Sequence, residues 1–416
     1  MTQPSAGSEA ASPTPARQGL GGRAFALVCL SHLLGYFSNS LVNPVLPLFL
    51  VEQGHGESFV GLVLGAFSVV SFSVRLPVGQ LVDAGHVRAT LSGAGLLLGA
   101  APLAYLVPFT PLLFVARGVH GLGWAGLNVA GSAWAAMLAP VSRRAEALGY
   151  FTMAQRIGGA AAQVLALSLV GIVGFPPVFL LAGAMGFVTA AAVQLTGRSG
   201  QEHTDRRAAS PDARPVWRSL LNLRSLFSIE RTALLGTGLQ ALSIMTSPAT
   251  FVYIPLYFRA QGLEHVELYF LATGVTGIAG RALVGPWADR LGRLPSVAVG
   301  FALQFAGLVL LGFTPGFWGM IAAGVLTTFG NVCSEPSLYA LAIDRAGPNR
   351  RGAAMATYTS AFQLGSGVGA MIGGFIIERW AYQALYHAAL VPVAVGLVWL
   401  AVQWRSGRDR AQAGVQ

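Results

Sequence analysis

The sequence predicts an all-α membrane protein with twelve transmembrane helices arranged as two pseudo-symmetric halves of six. Apolar residues make up 54% of the 416-residue chain, charged residues only 10%, and the mean hydropathy is +0.61. A soluble domain of this length could not stay in solution with that balance, and most of the apolar segments lack the polar stripe of a surface helix. A motif repeated half a chain apart adds a second observation, because it indicates an internal duplication.

The repeated motif follows an apolar segment in each half. The first copy, VRLPVGQLVDAGHVR, begins at Val74, and the second, GRALVGPWADRLGRLP, begins at Gly280. The residues that match at an offset of 206 are Arg75, Gly79 and Asp83 with Arg281, Gly285 and Asp289. A second landmark, Gln53-Gly54 against Gln261-Gly262, repeats at an offset of 208. Duplicated apolar halves are typical of transporters in which one half rocks against the other.

Twelve segments are long enough to cross about 30 Å of hydrocarbon. In the first half they cover about residues 25–50, 58–82, 88–108, 111–138, 146–172 and 175–196. In the second half they cover about residues 231–258, 266–288, 295–314, 317–343, 351–377 and 382–404. The chain therefore divides into a disordered cytoplasmic tail (1–22), a first half (23–196), a cytoplasmic linker (197–230), a second half (231–404) and a second cytoplasmic tail (405–416).

The distribution of arginine predicts the orientation in the membrane. All 26 basic residues are arginine, and most of them fall in the termini, the linker and alternate loops. The loops on the other side hold only Arg259 and Arg379 among the basic residues. By the positive-inside rule, both termini of this multi-pass protein of the cell membrane are cytoplasmic. The net charge of +10 is then explained by the lipid bilayer, and we expect no nucleic-acid partner.

Several functional classes are excluded by residues that the chain lacks or places in apolar segments. The absence of lysine removes the lysine of a phosphate-binding loop, which argues against an ATP-driven pump. Cys29 and Cys333 both lie in apolar spans, so neither a disulfide framework nor a metal cluster is indicated. We expect no enzyme activity, no cofactor and no metal site.

Polar side chains recur at helical spacing inside two predicted helices of the first half. In helix 1 the polar residues on one face are His32, Tyr36, Asn39 and Asn43, and in helix 4 they are Arg117, His120, Trp124 and Asn128. A polar stripe within a membrane must face a partner helix or a water-filled cavity. For helix 1 both interpretations stay open. Arg117 faces the bundle interior or extends to the nearby membrane surface, and we favour the interior.

Glu335 in helix 10 is the acidic residue that lies well inside a predicted span. At a rise of 1.5 Å per residue, it lies at about the same depth as Arg156 of helix 5. We expect protons to be coupled through Glu335, Arg117 and Arg156, because a carboxylate gains a proton when a nearby arginine withdraws. A permanent structural ion pair is the alternative for Glu335, and His32 or His120 would be the next proton sites.

The expected substrate cavity combines these polar residues with others from the second half. Asn331 and Tyr339 lie one turn on either side of Glu335, and Gln240 and Gln363 lie within predicted helices 7 and 11. The complete predicted lining is His32, Tyr36, Asn39, Asn43, His120, Trp124, Asn128, Gln240, Asn331, Tyr339 and Gln363.

The repeated motif resembles the loop signature of the Major Facilitator Superfamily, Gly-x-Leu-x-Asp-Arg-x-Gly-Arg-Arg/Lys. The second copy keeps Gly285, Asp289, Arg290, Gly292 and Arg293. The first keeps Gly79, Leu81, Asp83 and Arg88 but has Ala84 and His86 in place of the arginine and glycine. In helix 4, Arg117, Gly121 and Gly123 resemble the second family motif, Arg-x-x-x-Gly-x-Gly, which is usually tied to proton-coupled transport. The similarity covers all twelve predicted helices.

The resemblance implies a cavity between the halves, lined by helices 1, 4, 7 and 10. It also implies a cytoplasmic gate, for which the candidates are Arg75, Gly79, Asp83, Arg88, Arg281, Gly285, Asp289, Arg290, Gly292 and Arg293. Among the branches of the family, the chain is similar to the drug and metabolite:proton antiporters. Helix 5 departs from their signature, because it has Gly158-Gly159 and Arg156 but no Gly-Pro pair.

The leading hypothesis is a monomeric, proton-coupled secondary transporter that exports a small organic molecule across the cytoplasmic membrane by alternating access. The alternative is a proton-coupled importer of a small anionic metabolite, suggested by Arg117, Arg156 and Arg281 against a single Glu335. A membrane receptor or scaffold without transport is the third possibility, but no predicted domain outside the membrane supports it.

Overall fold

The computed structural model describes residues 22–107, 109–196, 233–313, 316–344 and 351–413, and every regular element in these ranges is a helix. The predicted tail 1–22, apart from Gly22, and the linker 197–230 lie outside these ranges. In chain order the spans are α1 (Arg23–Glu52), α2 (Glu57–Ser73, continued by Arg75–Leu81), α3 (Val87–Ala104), α4 (Thr110–Leu138), α5 (Arg144–Val173), α6 (Phe175–Gln194), α7 (Leu234–Met245 and Ile254–Ala260), α8 (Val266–Leu291), α9 (Arg293–Gly312), α10 (Phe317–Asp344), α11 (Arg351–Trp380) and α12 (Tyr382–Ala413). The predicted all-α fold is confirmed, and α12 continues into the segment predicted as a tail.

Apolarity differs among these spans. Within the described ranges, eight helices are long and apolar enough to cross a membrane, and the bent pair in α7 makes a ninth if it counts as one span. The helix of α2 over Glu57–Ser73 is apolar but shorter. Spans α4 and α8 fall outside this set because Arg117, Arg281 and several glycines lower their apolarity. Polar residues reach the interior from these two helices and also from the apolar spans α5 and α10.

Two spans that the sequence predicts as continuous helices are broken. In α2 the break is at Val74, and Pro77 explains it because proline has no N–H to donate to the carbonyl of Ser73. In α7 the segment Leu234–Val252, which ends in the π-helical turn Pro248–Val252, meets Ile254–Ala260 at 46°. Pro248 and Pro255 begin the turn and the second part, where a missing N–H is tolerated.

The duplication is visible in the backbone. The starts of α4, α5 and α6 precede those of α10, α11 and α12 by 207 residues each (110 and 317, 144 and 351, 175 and 382). Gly54 and Gly262, the second sequence landmark, both end a helix with positive φ angles of 82° and 65°. A left-handed turn at the same place in each half favours glycine there, because a side chain would be strained.

The two halves meet through α2 with α11 and through α5 with α8. At Gly61 a side chain would come within 2.6 Å of the carbonyl oxygen of Ala370, and at Gly374 it would collide with the carbonyl of Glu57. Such small residues allow membrane helices to approach closely. We call the side where α1 begins and α12 ends the terminal side. The contacts of Gly61 and Gly374 therefore lie toward the opposite side.

Polar contacts also join the halves on the opposite side. The backbone N–H of Ser58, in the first turn of α2, donates to Glu378 Oε2 of α11 over 2.7 Å. The Tyr382 hydroxyl donates to Glu57 Oε1 over 3.1 Å. A carboxylate from one half thus caps the N-terminus of a helix from the other half, where the helix dipole favours negative charge. These contacts hold the opposite side closed.

We expect Ala381→Gly to stabilise the protein. Ala381, in the turn before α12, has φ = 132°, whereas Gly174, its counterpart before α6, has φ = 78°. Glycine at 381 would relieve a strain of about 1 kcal/mol. The measurement is the thermal unfolding midpoint in detergent, which should rise. The control Ala401→Gly, at an exposed position inside α12, should lower the midpoint because glycine weakens a helix interior. A lower midpoint for Ala381→Gly would contradict the strain.

We expect Glu378→Gln to loosen the closed side, because glutamine keeps the acceptor oxygen but loses the charge that favours the helix N-terminus. The probe is a cysteine introduced at buried Val60, in a background with serine at positions 29 and 333. Labelling by an impermeant maleimide from the opposite side should become several-fold faster. Glu264→Gln, which removes an exposed carboxylate on the same side, is the control and should change nothing. An unchanged rate in Glu378→Gln would show that the cap does not hold the halves together.

Candidate functional site

A cavity of about 740 Å³ lies between the two halves. The first half contributes residues of α1, α2, α4 and α5 to its wall, and the second half contributes residues of the α7 turn, α8, α10 and α11. Its size is within the range of pockets that hold small molecules. Because the halves touch on the opposite side and the lining continues toward the terminal side at Arg75, Thr152 and Tyr339, the cavity opens to the terminal side.

A single carboxylate in this cavity binds arginines from both halves. Arg281 Nη2 of α8 donates to Glu335 Oε2 over 2.8 Å, and Arg156 Nη2 of α5 donates to the same oxygen over 3.2 Å. The three side chains are each about one-third exposed, so water reaches the cluster from the cavity. Arg156 thus forms an ion pair across the two halves, while Arg281 forms one within the second half.

The backbone of α10 at Glu335 is contacted by a side chain of α11 and borders the cavity. The Tyr358 hydroxyl of α11 lies 2.8 Å from Gln240 Oε1 and 3.2 Å from the backbone carbonyl oxygen of Glu335, and it shares its one proton between these two acceptors. Pro336 follows inside the helix and also lines the cavity, and its missing N–H leaves the carbonyl of Val332 without the usual helical donor. A backbone carbonyl without a helical hydrogen-bond donor is tolerated at membrane depth where it borders a water-filled cavity.

A third arginine, Arg75 of α2, lines the same cavity. Within the described residues it makes no ion pair or hydrogen bond, although its charge acts on the hydroxyl of Tyr36. The charged residues of the lining are therefore Arg75, Arg156, Arg281 and Glu335. With the carboxylate ionised, three positive charges and one negative charge leave the lining with a net charge of +2. Such a surface attracts anions and repels cations.

Several residues that the sequence predicts for the site line the cavity. They are Tyr36, Trp124, Asn128, Arg156, Glu335, Tyr339 and Gln363, together with Arg75 and Arg281 from the predicted gate. The Tyr36 hydroxyl donates to Asn128 Oδ1 over 2.7 Å, and the Tyr36 and Trp124 rings lie 4.4 Å apart. The stripes of helices 1 and 4 therefore meet at these three residues.

Arg117 and His120, also predicted for the site, lie outside the cavity wall. The Arg117 guanidinium is buried, 5.3 Å from the ring centre of Phe67 and 5.9 Å from that of Tyr105. The Tyr105 hydroxyl also lies 3.2 Å from His120 Nδ1. Arg117 shares a helical face with Asn128 but lies about 16 Å farther along α4, beyond the end of the cavity. Helical spacing predicts the face of a residue but not where a cavity ends.

The remaining predicted lining residues are held between helices. Buried Gln240 accepts the bond from Tyr358, and Asn331 Oδ1 accepts one from Ser243 over 3.2 Å. Buried His32 stacks on Phe151 and contacts the amide of Gln155, which itself lines the cavity. Asn39 is buried and Asn43 is partly buried, and neither lines the wall.

Contacts at the predicted gate lie within each half. Arg88 donates to the carbonyl of Gln194 over 2.8 Å, and Arg293 at the start of α9 pairs with Asp344 at the end of α10. Among the other gate positions, Asp83 and Arg290 are exposed and Gly79 is partly buried. Gly285 and Asp289 lie in α8, and their surroundings lie outside the described residues.

The turn glycine of the gate motif differs in position between the copies. In the second copy Gly292 takes a φ of 85°, but in the first copy Gly85, and not His86, takes 91°. The chain kinks at Gly85, one residue earlier than the motif alignment places the turn, so the first copy still has its turn glycine.

Several residues of the wall are absent from the sequence-based prediction. In α11 these are Tyr358, Thr359 and Phe362, which form one face with Gln363 at i, i+1, i+4 and i+5. This helical spacing is visible in the sequence, but aromatic residues at such a spacing are equally typical of ordinary packing between helices. Phe251 reaches the wall from the π-helical turn of α7, and no pattern in the sequence indicates this turn.

Comparisons with known proteins agree with this geometry. The family model described as Major Facilitator Superfamily matches residues 28–294 and 270–414. An uncharacterised MFS-type transporter of Methanocaldococcus jannaschii is 21% identical over 86% of this chain and 92% of its own. The probable sulfoacetate transporter SauU of Cupriavidus necator is 24% identical over 85% and 86%. A crystal structure of a POT family transporter in complex with a thioalcohol-conjugated peptide superposes with a TM-score of 0.74, at 12% identity, over 93% of this chain and 96% of that one.

The family model covers nearly the whole chain, and the twelve spans of the described residues, with the cavity between the halves, fit it. The chain therefore belongs to the Major Facilitator Superfamily and is a multi-pass membrane transporter.

Proposed function

We propose that this transporter moves a small organic anion together with a proton, and that Glu335 carries the proton. The observation that supports the proposal is the composition of the cavity wall, where three arginines face one carboxylate. A charged group is costly at membrane depth, so its presence in a substrate path indicates a role in binding or coupling. The substrate is then a second source of negative charge.

The two bound species favour each other's binding. Protonation of Glu335 leaves Arg156 and Arg281 without their counter-charge, which raises the net charge of the lining from +2 to +3. An anion therefore binds more tightly when Glu335 is protonated. Because such coupling is reciprocal, a bound anion raises the proton affinity of Glu335 by the same factor. The neighbouring Tyr339 and Tyr358 add no charge of their own at neutral pH.

Mutual stabilisation of proton and anion corresponds to symport. Under an inward proton gradient, symport imports the anion, which is the alternative hypothesis from the sequence. Export by exchange with protons, the leading hypothesis, requires proton and substrate to compete for Glu335, and a cation would do so. The three arginines disfavour a cation in this cavity. We therefore place proton-coupled anion import first and proton-driven export second.

The name of one relative agrees with an anionic substrate. The probable sulfoacetate transporter SauU is 24% identical over 85% of this chain, and sulfoacetate carries a carboxylate and a sulfonate. The proposal also includes a location in the cell membrane with both termini cytoplasmic, because the terminal side holds most of the arginines. The proposed partners are protons, the small-molecule substrate and the lipid bilayer, and the proposed state is a monomer.

We expect purified protein in liposomes to accumulate small anions when the proton gradient is directed inward. The panel is sulfoacetate, acetate and methanesulfonate, with choline and methylamine as cations of similar size. Uptake of at least one anion should depend on the gradient and exceed uptake of both cations, because the cavity carries net positive charge. Gradient-driven transport of a cation with no transport of any anion would contradict the proposal and favour the export hypothesis.

We expect Glu335→Gln to abolish proton-driven accumulation but to retain binding and anion exchange. Glutamine keeps the size and the acceptor oxygen, cannot titrate, and leaves the arginines in the state produced by a protonated carboxylate. The measurements are uptake under a proton gradient and counterflow without one.

The control is Glu146→Gln, which removes an exposed carboxylate paired with Arg143 on the terminal side, and it should behave like wild type. Accumulation by Glu335→Gln against an anion gradient would exclude this carboxylate as the coupling site.

A further inference from the structure

The duplication assigns a counterpart to each arginine of the cavity. Arg75 matches Arg281 at the 206-residue offset of the repeated motif. Helices α4 and α10 start at 110 and 317, an offset of 207, and 128 plus 207 is 335. Asn128 is thus the counterpart of Glu335. In each half, an arginine from the second helix and a carboxylate or amide from the fourth helix occupy matching places on the cavity wall.

The matching places differ in charge. In the second half, Arg281 Nη2 donates to Glu335 Oε2 over 2.8 Å, so this arginine is paired with a carboxylate. In the first half, Asn128 is neutral, its Oδ1 accepts from Tyr36 over 2.7 Å, and its Nδ2 donates to the carbonyl of Trp124 over 2.9 Å. Among the described residues, no carboxylate pairs with Arg75. The first half therefore has the arginine of this pair and lacks the acid.

We propose that the anionic head group of the substrate, a carboxylate or sulfonate, binds Arg75 beside Tyr36 and Asn128. The inference rests on the proposed function, and it assigns one subsite to it. The head group takes the place relative to Arg75 that the Glu335 carboxylate takes relative to Arg281. The cavity then holds one internal carboxylate in the second half and one external carboxylate or sulfonate in the first.

The chemistry of the subsite suits such a head group. A guanidinium presents parallel N–H donors that match the two oxygens of a carboxylate or sulfonate. Tyr36 lines the same cavity as Arg75, Arg156 and Glu335, and the charges of all three act on its hydroxyl. Trp124, whose ring lies against that of Tyr36, offers an apolar surface for the rest of a small molecule.

The test is to give Arg75 an internal carboxylate by Asn128→Asp. Aspartate keeps the shape of asparagine and the acceptor for Tyr36. It adds a negative charge and loses the hydrogen bond from Nδ2 to the carbonyl of Trp124, so its unfolding midpoint is compared with that of wild type. The full chain in detergent is titrated with sulfoacetate, acetate and methanesulfonate by calorimetry. The affinity for the anions that bind wild type should fall about tenfold or more, as it should in Arg75→Gln, because each change removes a charge-assisted contact.

The control is Gln163→Glu, which adds the same charge to the cavity wall two turns beyond Arg156 on α5. It should weaken binding far less than Asn128→Asp, and the unfolding midpoints of all variants verify that they are folded. In the double variant Arg75→Gln/Asn128→Asp, the second change should add little, because both act on one contact.

The outcomes separate the two proposals. Unchanged affinity in Arg75→Gln, equal losses in Asn128→Asp and Gln163→Glu, or additive losses in the double variant overturn the subsite while leaving an anion transporter. If wild type binds none of the three anions and transports none in liposomes, the proposed function fails and the subsite fails with it.

Discussion

The ion cluster at Glu335 is the interaction on which the rest of the site depends. Charges at membrane depth are tolerated when they are paired or reached by water, and this cluster is both. Two arginines share one carboxylate, so neutralisation is incomplete and the wall keeps positive charge. The charge of Arg117 is stabilised in a different way, because its guanidinium is buried near two aromatic rings, whose faces attract a cation. Only the first arrangement leaves charge available to a substrate.

The two halves share one arrangement of helices, and they differ in the residues that line the cavity. The two halves repeat their helices and turn glycines closely, but the cavity residues at matching positions differ: Glu335 against Asn128, and Arg156 against Gln363. A fully symmetric site would carry equal charge in both halves and would pair each arginine in the same way. Among the described residues, these differences leave one half with an internal ion pair and the other with an arginine that has no carboxylate partner. Under the proposed function, this asymmetry separates the anion subsite from the proton site.

The sequence predicts most of the fold because apolar length and glycine turns act locally. The predicted starts of α6, α8, α10, α11 and α12 coincide with the observed ones, since glycine, proline or charged residues lie just before each of them in the sequence. The breaks in α2 and α7 are not predicted, because Pro77 lies inside an apolar run and no pattern in the sequence indicates the π-helical turn of α7. In the site, the shared depth of Arg156 and Glu335 follows from helical rise, and the two form an ion pair. The end of the cavity does not follow from it, because it depends on how the halves pack, and so Arg117 lies beyond the wall.

Under the proposed mechanism, the two ion pairs of Glu335 respond differently to rocking of the halves. Arg281 and Glu335 lie on α8 and α10 of the same half, so their contact of 2.8 Å moves as one body. Arg156 lies on α5 of the other half, and its contact of 3.2 Å must change when the halves rotate. Closure of the opposite side by Gly61, Gly374 and Glu378 therefore belongs to a state in which Arg156 stabilises the ionised carboxylate. Opening that side would withdraw one of two positive charges from Glu335, which links the side of the membrane that is open to the charge around the proposed proton site.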